Sequence, residues 1–190
     1  HHAQEPEVGR SSASRIATQE VTEGHLLDIA RLHVAAFPDS VLGRLGVEAV
    51  RRNYHWQLAG PHELTALVAT DGDAVVGYLF GGVFRGSTIG FVKKERWFLA
   101  GRVLRHPTIL MKGAGWNRLL LAGRLLLRRA PRSQSEAPAR VPRKSFGVLA
   151  IAVSPAAQGR GVGRMLMAMA EEGARAAGFE SMHLPVNRDN

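Results

Sequence analysis

The segment Gln158-Gly159-Arg160-Gly161-Val162-Gly163 places three glycines, a cation and an amide within six positions. It lies between an apolar strand candidate, Phe146 to Val153, and an amphipathic helix candidate beginning near Gly161. Glycine lets the backbone turn tightly and approach a ligand closely, and the unpaired N–H groups of a helix's first turn point at whatever lies there. Strand, loop and helix in series build an anion site whose natural guest is a diphosphate. The plainer reading is a strand-to-helix turn that binds nothing. No Lys-Ser or Lys-Thr follows the last glycine, which excludes a Walker A loop, and the spacing is not that of a dinucleotide fingerprint.

The elements that must carry this loop can be read from periodicity. Arg15 to Gln19 is a first strand candidate, and Thr22 is placed to cap a helix running through Leu26, Leu27, Ile29, Ala30 and Val34 until Pro38 stops it. Leu45 to Leu58 reads as a second helix. Leu64 to Ala69 and Ala74 to Gly82 are strands joined by Asp71-Gly72-Asp73, a strong hairpin signal. Arg96 to Arg105 and Trp116 to Arg129 read as helices within a basic stretch, and Arg132 to Arg143, rich in Pro, Ser and Ala, reads as a mobile loop. Trp116, Leu119, Leu120, Leu126 and Leu127 share one face of the second of these helices, a face expected to be buried against the domain or a partner subunit.

Composition bounds the rest. A chain of 190 residues with 45% hydrophobic content predicts one globular domain over 15–190, with His1 to Ser14 a tag remnant and disordered lead. The absence of cysteine excludes disulfides, thiolate metal sites and a cysteine nucleophile; it fits a reducing compartment and a cytoplasmic protein. No metal-ligand spacing is present, and no apolar run reaches transmembrane length. The formal net charge is +9, yet Arg85 to Lys144 alone holds fifteen Lys and Arg against two Glu, so the remainder is slightly acidic.

The spacing Gln-x-x-Gly-x-Gly, preceded by Ala152-Val153-Ser154-Pro155 and followed by Val162, Met165, Leu166 and Met169, resembles the acetyl-CoA signature of the GNAT superfamily of N-acetyltransferases. Downstream, Ser181 to Val186 reads as a fifth strand, and Val186 to Asn190 fits the family's Val-x-x-x-Asn. The resemblance implies an α/β (α+β) fold, a GNAT-like mixed central sheet flanked by helices, with an inserted helical segment, residues 84–145, between the third and fourth strands. The family pattern continues with a helix and two strands, so the resemblance also implies residues beyond Asn190.

It further implies acetyl-CoA as cosubstrate, without a metal, and transfer of acetyl to a primary amine by direct reaction in a ternary complex. Backbone groups of Ile151, Ala152 and Val153 would pair with the pantetheine arm, and Gln158, Gly159, Arg160, Gly161, Val162 and Gly163 would hold the pyrophosphate. Arg164 or Arg160 would add charge-assisted contacts, unless both lie on a solvated helix face, and Asn190 would complete the cofactor site. The backbone N–H of Val153 would stabilise the oxyanion. The family's usual glutamate base falls at Gly147 here. His183 is the remaining base candidate, its rival reading being a partly buried strand histidine facing the helices. His33, His55, Tyr54 and Trp56 fall on helices that form part of the family's acceptor cleft, and Asp39 lies near its entrance; turn and core roles are their alternatives. The acceptor would be a small-molecule or peptide amine, and a homodimer is compatible with the apolar face of the insert. Two other functions stay open: transfer of a longer acyl chain, or a CoA-binding module whose basic insert contacts an anionic membrane or nucleic acid.

Overall fold

Asp71-Gly72-Asp73 makes the turn its composition predicts. In the computed structural model, which describes residues 16–60, 63–83, 87–105 and 145–184, Leu64–Asp71 (β2) and Ala74–Gly82 (β3) run antiparallel, with Asp71 opposite Ala74. Gly72 takes φ +60°, a value glycine adopts without a Cβ penalty. Ile16–Glu20 (β1) pairs with β2, Ser145–Val153 (β4) pairs antiparallel with β3, and Ser181–His183 (β5) adds parallel to β4. The result is a five-stranded mixed sheet in the order β1-β2-β3-β4-β5.

Helices cover both faces, and strand alternation sorts the core between them. On one face Val68, Tyr78, Phe80 and Ala152 pack with Leu26, Ile29 and Ala30 of α1 (Leu26–Ala36) and with Val50 and Tyr54 of α3 (Val47–Ala59). On the other, Leu67, Ala69, Leu79, Phe146 and Val148 pack with Val162, Leu166, Ala170 and Ala174, the apolar stripe of the helix Val162–Ala176. Each Val, Leu, Ile or Phe among them, when fully buried, contributes about 1.5 to 3 kcal/mol.

Thr22 caps a 3-10 turn, Glu23–His25, that leads into α1, its backbone N–H donating to His25 Nδ1 at 3.0 Å. The predicted helix Leu45 to Leu58 is α3, and a short helix, α2 (Val41–Leu45), precedes it across Gly46, which takes φ +89°. Ser40 caps α2, its Oγ accepting from the Gly43 N–H at 2.9 Å. A further helix that periodicity did not suggest, α4 (Ser87–Lys94), precedes α5 (Arg96–Arg105), which has its predicted bounds. The pair docks on α2 and α3. Gly90 lies against the Trp56 indole, Arg52 forms an ion pair with Glu95 at 2.8 Å and covers the Phe98 ring at 4.2 Å, and Arg102 donates to Leu45 O at 3.0 Å. With α4 and α5 placed, the helix Val162–Ala176 is α6. Residues 1–15 and 106–144, including the predicted helix Trp116 to Arg129 and the loop after it, lie outside the described residues. Among the described residues no helix is long and apolar enough to cross a membrane.

Strand β4 carries an irregularity with consequences. Phe80 lies opposite Ala150 but Gly81 lies opposite Val148, so Leu149 is an extra residue, a bulge that bends the strand. On its outer side β4 pairs with β5 only from Ser145 to Gly147; beyond Gly147 that edge has no strand partner among the described residues.

A polar cluster is sealed inside the helical layer. His33 Nδ1 lies 2.8 Å from the Tyr78 hydroxyl and 2.9 Å from that of Tyr54, and Tyr54 donates to Tyr78 at 3.1 Å. His33 Nε2 is buried without a hydrogen-bond partner among the described residues. Burial lowers the His33 pKa from 6.5 to about 4. Above about pH 6.5 the ring is neutral in both folded and unfolded chains, so it contributes no pH dependence there. As pH falls from 6.5 towards 4 the unfolded chain takes up a proton that the folded chain excludes, and stability falls by up to about 1.4 kcal/mol per pH unit. We predict that urea unfolding of a His33→Gln variant will show a shallower loss of stability between pH 6.5 and 4 than the parent; equal slopes would mean that His33 is not held neutral.

Candidate functional site

The loop after β4 is built by local geometry. Ser154 leaves the strand, Pro155–Ala157 forms a 3-10 turn anchored by buried Ala157, and the chain enters α6 at Gly161. Gly159 and Gly161 take φ +77° and +79°, where an L side chain would be strained although a Cβ at either position would meet nothing within 4 Å. Glycine is therefore required here by backbone conformation rather than by crowding. Gly163 differs: it has no positive φ, and a Cβ there would rest 3.6 Å from Val153 Cγ2, an ordinary contact with the end of β4.

Gly161 caps α6 without a side-chain acceptor, and the first bond within the helix is Met165 N–H to Gly161 O at 3.0 Å. The N–H groups of Val162, Gly163 and Arg164 thus have no acceptor four residues back and carry the positive end of the helix dipole. They face a recess of about 330 Å³ lined by Val153, Ala157, Gln158, Gly159, Gly161, Val162, Gly163 and Arg164. Arg164 contributes a cation to this rim. Arg160 projects elsewhere, its Nη1 donating to Asp71 Oδ2 at 2.8 Å, which ties the loop to the β2–β3 turn. Nothing in the spacing of the sequence pointed to Asp71 as that anchor.

The outer edge of β4 leads into the recess. Ser154 N–H donates to Val76 O at 2.8 Å, so along the extended strand Ala152 turns its backbone groups to β3 while Ile151 and Val153 turn theirs outward. Of the three positions expected to bind through the backbone, Ile151 and Val153 thus face the unpaired edge. Ala152, opposite Tyr78, supplies a small side chain beneath the aromatic layer.

At the other end of that edge, Gly147 and His183 are the last paired residues of β4 and β5. Met182 packs into the α6-side core, so His183 lies on the opposite face of the sheet, the side of α1 and α3, yet it is exposed rather than partly buried. Its Nδ1 is 2.9 Å from Ser145 Oγ, a contact that no sequence motif signals.

The other sequence candidates are placed as follows. Tyr54 and His33 are core, and His55 is at the surface with Nε2 3.3 Å from Glu23 Oε1. Trp56 supports α4, with Lys94 Nζ 5.1 Å from its ring centre, and Asp39 is exposed, 3.3 Å from Arg44. Asn190 lies outside the described residues. Among the described residues no group of three or more His, Asp or Glu side chains is arranged to hold a metal.

A model of the acetyltransferase (GNAT) family matches residues 26–190. No curated protein matches the chain. Among solved structures, the fold is similar to that of the aminoglycoside N-acetyltransferase AAC(6')-Iy in complex with CoA, at 12% identity over 95% of this chain and 82% of that one, with a TM-score of 0.58. The same enzyme in complex with the bisubstrate analog CoA-S-monomethyl-acetylneamine aligns at 12% identity over 93% of this chain and 83% of that one, with a TM-score of 0.56. A possible acetyltransferase from Clostridium difficile 630 aligns at 12% identity over 92% and 82% of the two chains, with a TM-score of 0.53. At these identities the likeness is one of fold.

The contrast between the loop glycines can be measured. Gly161→Ala should lower folding stability by about 1 to 2 kcal/mol, the cost of forcing a Cβ into left-handed backbone. Gly163→Ala should be neutral or stabilising by up to about 1 kcal/mol, since alanine is the better helix former. Chemical denaturation of the two variants reads the difference directly, and equal losses would contradict the backbone assignment.

Proposed function

Because this chain belongs to the GNAT acetyltransferase family, we propose that it moves an acetyl group from acetyl-CoA to a primary amine by direct transfer within a ternary complex. The observation that carries this reading is continuity: the outer edge of β4, unpaired among the described residues, runs into the recess at the start of α6. A donor with a diphosphate at one end and an extended, amide-bearing arm suits that shape. The diphosphate sits against the first-turn N–H groups of α6 with Arg164 beside it, and the arm lies along Ile151 and Val153 as an added strand would.

The chemistry needs three things: a neutral amine, a polarised thioester carbonyl, and an exit for one proton. The outward N–H of Val153 is the donor we assign to the carbonyl oxygen as charge develops there. The proton leaving the amine is taken at the strand fork by His183, whose imidazole is an exposed base on the acceptor side of the sheet. Arg160 acts on the loop by holding it to Asp71. No covalent acetyl-enzyme is required: the chain has no cysteine, and no serine or threonine stands in a recognisable nucleophile motif.

Two measurements test the reading. Isothermal titration with CoA should give a dissociation constant at least about tenfold weaker for a folded Gly161→Val protein than for the parent, a loss of about 1.4 kcal/mol; unchanged affinity would remove the loop from the site. Incubation with labelled acetyl-CoA and no amine should leave the protein unlabelled. A stoichiometric acetyl-protein that passes its acetyl on at the turnover rate would replace direct transfer with a two-step mechanism.

A further inference from the structure

We infer that Ser145 is a positioning residue for the base at the strand fork, and that the absence of a side chain at Gly147 is what lets an imidazole from β5 occupy β4's place there. This inference rests on the acetyl-transfer reading above and adds how the base is held.

The argument begins with the register. Ser145 and Gly147 are two residues apart on β4 and so share one face; in the parallel pairing they stand opposite Ser181 and His183, which share that face on β5. Gly147 and His183 are the last paired residues of the two strands among the described residues, and the imidazole stands at that end of the pairing. A Cβ built on Gly147 would lie 3.0 Å from His183 Nε2 and 3.1 Å from Cε1, closer than ordinary contact. The ring therefore lies across the Gly147 backbone. Its other nitrogen, Nδ1, is tethered 2.9 Å from Ser145 Oγ. One residue of β4 thus holds the ring and the next on that face leaves room for it. Ser145 is the one hydrogen-bond partner of His183 among the described residues, and His183 has no ion pair there.

This tether determines what the ring can do. For Nε2 to accept a proton its lone pair must be free, so the neutral ring must carry its hydrogen on Nδ1, where that hydrogen needs an acceptor. Ser145 Oγ provides one, and continues to accept once the ring is charged. In the transfer step the amine nitrogen gives a proton to Nε2 and forms the N–C bond as the C–S bond breaks. The departing thiolate takes a proton from water, and the imidazolium returns its own to water. A hydroxyl at 145 can accept that hydrogen, so the tether holds the ring with Nε2 left free for the amine.

Two readouts on the full chain separate the tether from the reaction. In nitrogen-15 spectra of labelled histidine, His183 should be the Nδ1–H tautomer in the parent, lose that preference in Ser145→Ala, and regain it in Ser145→Thr. In an assay of thiol release from acetyl-CoA with a primary alkylamine, Ser145→Ala should lower kcat about tenfold with KM for acetyl-CoA unchanged. Ser145→Thr should restore the rate. Gly147→Ala should reduce kcat similarly by displacing the ring. Ser181→Ala, which removes a buried hydroxyl on the same face with no hydrogen-bond partner among the described residues, should change nothing. A Ser145→Ala protein with the parent's tautomer and rate would overturn the inference. If the tautomer responds to Ser145 but neither the parent nor any variant releases thiol with an amine, the tether stands, and it is the acetyl-transfer reading, and with it the base role, that falls.

Discussion

An extended strand offers hydrogen-bonding groups to both sides, and among the described residues β4 has a neighbour on its outer side only as far as Gly147. Buried or half-buried backbone donors must find partners somewhere, so the remaining length of that edge is a demand as well as an opening. Every part of the candidate site is arranged along this one line. His183 stands where the pairing stops, Ile151 and Val153 present outward groups along the unpaired run, and the glycine loop and the start of α6 close it. The two helical layers supply the rigidity. Tyr78 and Phe80 with α1 and α3 hold β3 and β4 from one side, and Leu166 and Val162 hold them from the other.

The charges near the loop serve geometry more than stability. An exposed ion pair is worth about 0 to 1 kcal/mol, and the Arg160 and Asp71 side chains are both partly open to water. Holding two left-handed glycines in place is a matter of restricting backbone freedom, which such a tether does at little energetic gain. The docking of α4 and α5 follows a different rule. There Arg52 bridges Glu48 and Glu95 while stacking on Phe98, so charge and apolar contact act through one planar side chain.

Much of this was legible in the residues, and the boundary between what was and was not is physical. The hairpin at Asp71-Gly72-Asp73, the strand before Ser154 and the helix after Gly161 depend on local turn chemistry and periodicity, which a sequence displays openly. The short helix α2 was not visible, because five residues offer too little periodicity to read before Gly46 turns the chain at φ +89°. Helix α4 was hidden because Gly90 looks like a weak helix position until Trp56 fills the space a side chain would need. The pairings of Arg160 with Asp71 and of His183 with Ser145 join residues far apart in the chain. Nothing in local spacing could have brought them together. Ile151, Val153 and the loop glycines were legible since they act through the backbone.

The bulge at Leu149 acts on β4 as a shift of phase. Before it, Phe146 and Val148 send their side chains to the α6 layer; after it, Ile151 and Val153 do, and Ala150 and Ala152 lie under the aromatic side chains of the other layer. Large and small residues would exchange faces if the count were one shorter, since a strand's side chains alternate with period two. Leu149 itself is half exposed and buries little, so replacing it is a minor event while deleting it inverts everything downstream to the loop. The fold is therefore indifferent to which residue stands at 149 but bound by how many residues separate Val148 from the glycines, a constraint of counting rather than of chemistry.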